Sequence, residues 1–191
     1  LPSGDYELPL IIQDRSFAAD GSLTYPLSNM MGSEDHPGPW VPEFFGDTIL
    51  VNGRVWPHLE VEPRKYRLRI LNGSNARFYR LRLSDGRPFI QIGSDQGLLS
   101  APIQVGRLLL APGERAEILV DFSRDPLGRT VRLVSAPFSS GGPGMGMGGG
   151  AGQGVFLPLA TFRVSAPGPA PAPVPERLAT VARLDPARAS A

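Results

Sequence analysis

Three observations predict an all-β sandwich or barrel for this chain. Short apolar segments follow one another at strand spacing, about every 8–12 residues. Turn-forming residues separate them, among them Asn52-Gly53, Ser84-Asp85-Gly86 and Pro112-Gly113. No stretch between them holds a sustained 3.6-residue period, so nothing argues for a helix.

The elements follow in order. YELPLIIQDRSF, residues 6–17, is an apolar run that ends near the charged pair Asp14-Arg15 and reads as a buried strand. Residues 18–40 are rich in Gly, Pro and Ser and predict a long surface loop with one short strand near residues 23–26. Asn52-Gly53 lies between TILV and RVW, and both residues accept positive φ, which makes the pair a strong hairpin signal. From Lys65 the alternation is strict. Tyr66, Leu68 and Ile70 share one face and Lys65, Arg67 and Arg69 the other, as in a half-buried strand. FYRLRL repeats the pattern from Phe78, and Ser84-Asp85-Gly86 turns the chain into PFIQIGSD. GRLLLAPGERAEILVDF is expected to form another hairpin about a type II turn at Pro112-Gly113. TVRLVSAPF and VFLPLATFRV supply two further strands.

Two segments fall outside this pattern. Residues 141–154, GGPGMGMGGGAGQG, hold nine glycines in fourteen residues and predict a mobile flap between two strands. Residues 165–175, SAPGPAPAPVP, predict an extended proline-rich linker leading out of the domain. The folded domain is therefore expected over residues 1–164, with residues 165–191 as linker and tail. A short helical turn around ERLATVARL, residues 176–184, is expected to have nothing to pack against. Leu1 at the start and LDPARASA at the end read as the limits of an internal piece of a longer polypeptide.

Composition sets the bounds on function. With 191 residues, 41% of them hydrophobic, the chain can bury a core despite 23 Gly and 21 Pro. The formal charge of +1 gives no net bias toward nucleic acid or an anionic membrane. The absence of cysteine excludes a disulfide framework, a zinc–thiolate site and a thiol nucleophile. No apolar run approaches the ~18 residues of a membrane-spanning helix.

Candidate chemistry is sparse. His36 and His58 can share a metal in principle, but neither has a carboxylate or a further nitrogen ligand at local spacing, and both read as loop or strand-edge residues. Asp95 in IGSDQGLL is a candidate base, against the commoner role of an aspartate capping its own turn. The basic strand face of Arg67, Arg69, Arg80 and Arg82, interleaved with Tyr66, Phe78, Tyr79 and Phe89, raises single-stranded nucleic-acid binding. The aromatics share the register of the leucines, however, so a solvated or domain-facing surface is the better reading. Met145 and Met147 in the glycine segment have no core-packing role, and thioethers suit Cu(I).

Residues 46–81, GDTILVNGRVWPHLEVEPRKYRLRILNGSNARFYRL, with LPLIIQDRSF before them and FIQIGSDQGLL and LLLAPGERAEILVDF after, resemble the middle cupredoxin domain of three-domain multicopper oxidases. The branch of spore-coat laccases and bilirubin oxidases is the nearest in pattern, and the resemblance runs over residues 1–164. It implies an eight-stranded Greek-key sandwich. In that family the outer domains carry the copper ligands and the middle one spaces them, so catalytic residues are expected to be none and copper to belong to the parent. The implied partners are the first and third domains of the same chain, with a small-molecule substrate near the flap. There Met145 and Met147 would offer a weak Cu(I) or substrate contact. The parent would oxidise phenols, aromatic amines, pigments or metal ions, reduce dioxygen to water and work outside the cytoplasm. A copper-less scaffold of the same fold, as in cell-division relatives, is the alternative, and a free-standing sandwich that binds nucleic acid or ligand is a third.

Overall fold

The period-two pattern that begins at Lys65 becomes a strand in which every second side chain, Tyr66, Leu68, Ile70 and Asn72, is buried. The computed structural model describes residues 1–25, 43–137, 156–166, 168 and 172–182. Among these are thirteen strands in two mixed sheets, several only two or three residues long, rather than the eight the resemblance implies.

The larger sheet runs β4 (Arg54–Val55), β3 (Thr48–Val51), β1 (Glu7–Phe17), β6 (Lys65–Asn72), β11 (Arg115–Asp121), β8 (Phe89–Ser94) and β9 (Gly97–Val105), with β2 (Leu23–Thr24) paired to the far end of β1. The smaller sheet runs β10 (Leu108–Leu110), β7 (Tyr79–Leu83), β12 (Thr130–Ser135), β13 (Leu157–Val164) and β5 (His58–Val61). Leu10, Ile12, Leu68, Ile70 and Ile118 from the first meet Tyr79, Leu81, Leu83, Leu133 and Phe162 from the second in one core. Both sheets therefore bury one face and present the other outward.

The Asn52-Gly53 hairpin forms with φ of 52° and 76°, the pair of left-handed residues that a type I′ turn needs. The Asn52 side chain does more than turn the chain. Its Nδ2 donates to Pro9 O at 2.8 Å and its Oδ1 accepts from Ile11 N at 2.8 Å, extending the β1–β3 ladder past the end of β3. Pro112-Gly113 also turns as expected, with Gly113 at φ +82° and Glu114 N donating to Ala111 O.

The strands that flank this second turn do not form a hairpin, which corrects the sequence expectation. β10 pairs with β7 in the five-stranded sheet, while β11 lies between β6 and β8 in the other. The turn carries the chain from one sheet to the other. Period two reports which face of a strand is buried and says nothing about its neighbour.

The tail also differs from expectation. Residues 176–182 form no helical turn, and the segment packs back on the domain. Lys65 Nζ donates to Ala172 O at 3.2 Å and Leu178 N donates to Ser100 O, on the edge strand β9, at 2.9 Å. Between these two contacts lies Leu119. It points outward by strand parity yet is only 1% exposed, and it shares the wall of a cavity of about 320 Å³ with residues 172–174. The tail is a strap that covers an apolar side chain on the outer face.

Candidate functional site

His58 opens β5 on the outer face of the smaller sheet, exposed and opposite Thr161. No group of three or more His, Cys, Asp or Glu that could hold a metal occurs among the described residues. His36, Met145 and Met147 lie outside them, as does the glycine segment. Asp95 does not cap its own turn. It accepts from Arg115 N at 2.8 Å and pairs with the Arg115 side chain at 3.3 Å, which fixes the entry to β11.

The four arginines expected on one basic face lie on two. Arg67 and Arg69 project from β6 and Arg80 and Arg82 from β7, and these strands belong to different sheets with their buried sides together. The pairs therefore point away from each other, and these four arginines do not form one basic surface. Of the interleaved aromatics, Tyr66, Tyr79 and Phe89 are in the core, whereas Phe78 is exposed.

The two outer faces differ in charge. On the eight-stranded sheet, Arg67 Nε donates to Glu117 Oε2 at 2.8 Å and Arg67 Nη1 reaches Glu7 Oε2 at 3.4 Å. Arg69 bridges the same two carboxylates, at 3.1 Å to Glu7 and 3.4 Å to Glu117. Two cations and two anions close a neutral ladder across β1, β6 and β11. Lower on the same sheet, the strap lies over Leu119. On the five-stranded sheet, Arg82, Arg132 and Arg163 project outward and take part in none of the ion pairs among the described residues. Beside them Phe156 is 61% exposed and Leu109 51%.

The most heavily built polar feature was not singled out from the sequence. Asp14 and Arg77 form an ion pair at 2.8 Å in the interior. Both hold Gly46, whose N–H donates to Asp14 Oδ2 at 2.8 Å and whose carbonyl accepts from Arg77 Nη2 at 2.7 Å. Ser74 Oγ accepts from Asp14 N and meets the Tyr79 hydroxyl at 2.8 Å. Asn72 Oδ1 accepts from Ser74 N, and its Nδ2 donates to Arg77 O and Leu110 O. Burial pushes the Tyr79 phenol well above its ordinary range, so it stays neutral and able to donate. One signal in the sequence could have found this cluster: Asp14 falls on the same parity as Leu10 and Ile12, a carboxylate at a core-facing position. The cluster clamps three chain segments together. Its hydrogen bonds tie these segments together, and Ser74 also lines a cavity of about 460 Å³ with Arg15, Tyr25 and Phe44.

Two mixed sheets packed on one core define a cupredoxin-like sandwich, and the comparisons with known proteins agree. The McoA multicopper oxidase of the hyperthermophile Aquifex aeolicus superposes with a TM-score of 0.75 at 36% identity, over 97% of this chain and 37% of that one. A laccase-like multicopper oxidase, CueO, from Ochrobactrum sp. gives 0.74 at 34%, over 98% of this chain and 37% of that one. In sequence, a laccase of Bacillus subtilis (strain 168) is 54% identical over 124 residues, 64% of this chain and 24% of that protein. Multicopper oxidase LPR1 of Arabidopsis thaliana is 48% identical over 147 residues, 75% of this chain and 25% of that protein. No protein-family model matches the chain. The chain belongs to the multicopper oxidases, as one domain of such a protein. It spans about a quarter of the length of the curated relatives it matches.

Proposed function

We propose that this chain is the copper-free middle domain of a three-domain multicopper oxidase and that its contribution is structural. The observation that carries this reading is the donor set. A blue-copper centre needs a cysteine thiolate with two imidazoles, and the 191 residues include no cysteine and two histidines. Of these, His58 stands exposed on an outer strand and belongs to no group of three or more His, Cys, Asp or Glu among the described residues. The residues present do not fit a blue-copper or trinuclear copper centre, and no electron-transfer step is assigned to them. Copper, implied for the parent by its homologues, would be held by domains beyond this one.

In this reading the clamp and the core keep the sandwich rigid so that its flanking domains keep their spacing. Residues after 164 serve as the connection to the next domain. The parent oxidises phenolic or related donors outside the cytoplasm, with dioxygen as acceptor. The Ochrobactrum sp. relative, with oxidase activity towards lignin model compounds and lignosulfonate, supports the substrate class. Met145 and Met147 enter as a weak thioether contact for a cuprous ion or an arriving donor.

The test is a copper titration of the 191-residue chain alongside the parent. The chain is expected to develop no charge-transfer band in the visible red, and the parent to be blue. In the parent, His58→Ala is expected to leave copper content and the blue band unchanged. A blue 191-residue chain, or loss of copper from the His58 variant, overturns the reading.

A further inference from the structure

We propose that the outer face of the five-stranded sheet docks onto a carboxylate-bearing surface of another domain of the same polypeptide. The inference rests on the chain being one domain of a longer oxidase, and it assigns which face the neighbour covers and by what chemistry. One outer face is already closed by its own residues. The Glu7–Arg67–Glu117–Arg69 ladder neutralises its centre, and the strap covers Leu119. Among the described residues, Arg82, Arg132 and Arg163 on the opposite face have neither device, while Arg80 there already has a partner. Arg82 and Val134 are cross-strand partners there, Arg132 faces Thr161, and Arg163 faces Glu60 without an ion pair between them.

Glu60 is the one acid facing these arginines from the strands of that sheet, so the surface carries excess positive charge. The charge surrounds apolar area. Arg82, Arg132, Val134, Phe156 and Pro158 line a cleft of about 370 Å³, with the Arg82 guanidinium 5.8 Å from the centre of the Phe156 ring. Arginine beside an aromatic ring, with depleted acids, is the composition of an interface centre and not of a solvated sheet. Unneutralised guanidinium groups select carboxylates, which they hold through two parallel hydrogen bonds. The relatives are about four times as long as the match to this chain, so chain capable of supplying that surface exists.

The test is charge reversal in the full-length protein. Arg82→Glu with Arg132→Glu is expected to lower or split its thermal transition by roughly 4 °C or more. The control reversal, Arg54→Glu, at an exposed residue of β4 on the edge of the eight-stranded sheet, is expected to leave the transition unshifted. The same double variant in the 191-residue chain reports the local cost of the substitutions. Docking predicts no comparable fall there, and an equal fall in both overturns the proposal. So does binding of the 191-residue chain to single-stranded oligonucleotides with a salt slope of several phosphates. The blue colour of the parent reads the family assignment separately: a colourless parent whose domains still uncouple on reversal keeps the docking and loses the oxidase reading.

Discussion

Asp14 and Arg77, 63 residues apart in sequence, meet at 2.8 Å with side chains 0% and 4% exposed. Removing one partner of such a pair leaves a charge stranded in the interior, which costs about 3–5 kcal/mol. Arg77→Met is therefore expected to lower the urea midpoint sharply, and Arg77→Met with Asp14→Leu to recover most of the loss. A single-variant loss of less than about 1 kcal/mol would mean that the pair is worth no more than a surface one.

Gly46 is expected to tolerate no side chain. A Cβ there would sit 2.4 Å from Arg15 N, with Arg15 C and O at 2.6 and 2.7 Å, all backbone atoms that cannot turn aside. Gly46→Ala should destabilise by several times the ~1 kcal/mol of an ordinary substitution. Gly106→Ala, where a Cβ meets nothing within 4 Å, is the control expected to be nearly neutral. Equal urea midpoints for the two variants would contradict the close approach.

Asn52→Asp separates turn propensity from tertiary bonding. Asp-Gly and Asn-Gly suit the same hairpin turn, so an account based on the turn alone predicts no change. The Asn52 Nδ2 bond to Pro9 O has no counterpart in aspartate. A loss of about 1 kcal/mol is expected from chemical denaturation. Unchanged stability would reduce Asn52 to its backbone role.

Tyr79 sets an alkaline limit. Its phenol is raised by burial, opposed by the bond to Ser74, so the folded value lies above the unfolded value of about 10. Its contribution is complete below about pH 10. It falls as pH rises further, because the unfolded chain then releases a proton that the native state retains. Stability measured above pH 10 should decline less steeply in Tyr79→Phe than in the wild type. Some slope should persist, since burial also raises Tyr66. Parallel slopes would remove Tyr79 from the account.

Leu178→Pro deletes the N–H that holds the strap to Ser100 O. Proteolytic cleavage within residues 172–182 is expected to accelerate several-fold while the near-ultraviolet circular dichroism of the core stays the same. Unchanged cleavage would show that contacts near Leu119 hold the strap without this bond.

The sequence by itself determined the class of fold, most strand positions, the Asn52-Gly53 and Pro112-Gly113 turns and the absence of cysteine. Each of these depends on neighbours in the chain: alternation decides which side of a strand is buried, a turn needs two or three suitable residues, and ligands can be counted. Tertiary structure alone decided pairings between distant residues. β10 and β11, joined by a tight turn, part into different sheets because strand partners are chosen by packing across the sandwich. Arg67 and Arg80, both on alternating strands, point to opposite sides because those strands belong to opposite sheets. The partner of Asp14 was invisible for the same reason. A core-facing carboxylate announces that it needs a cation, and nothing local to residues 10–16 names Arg77 as the one that folding brings to it.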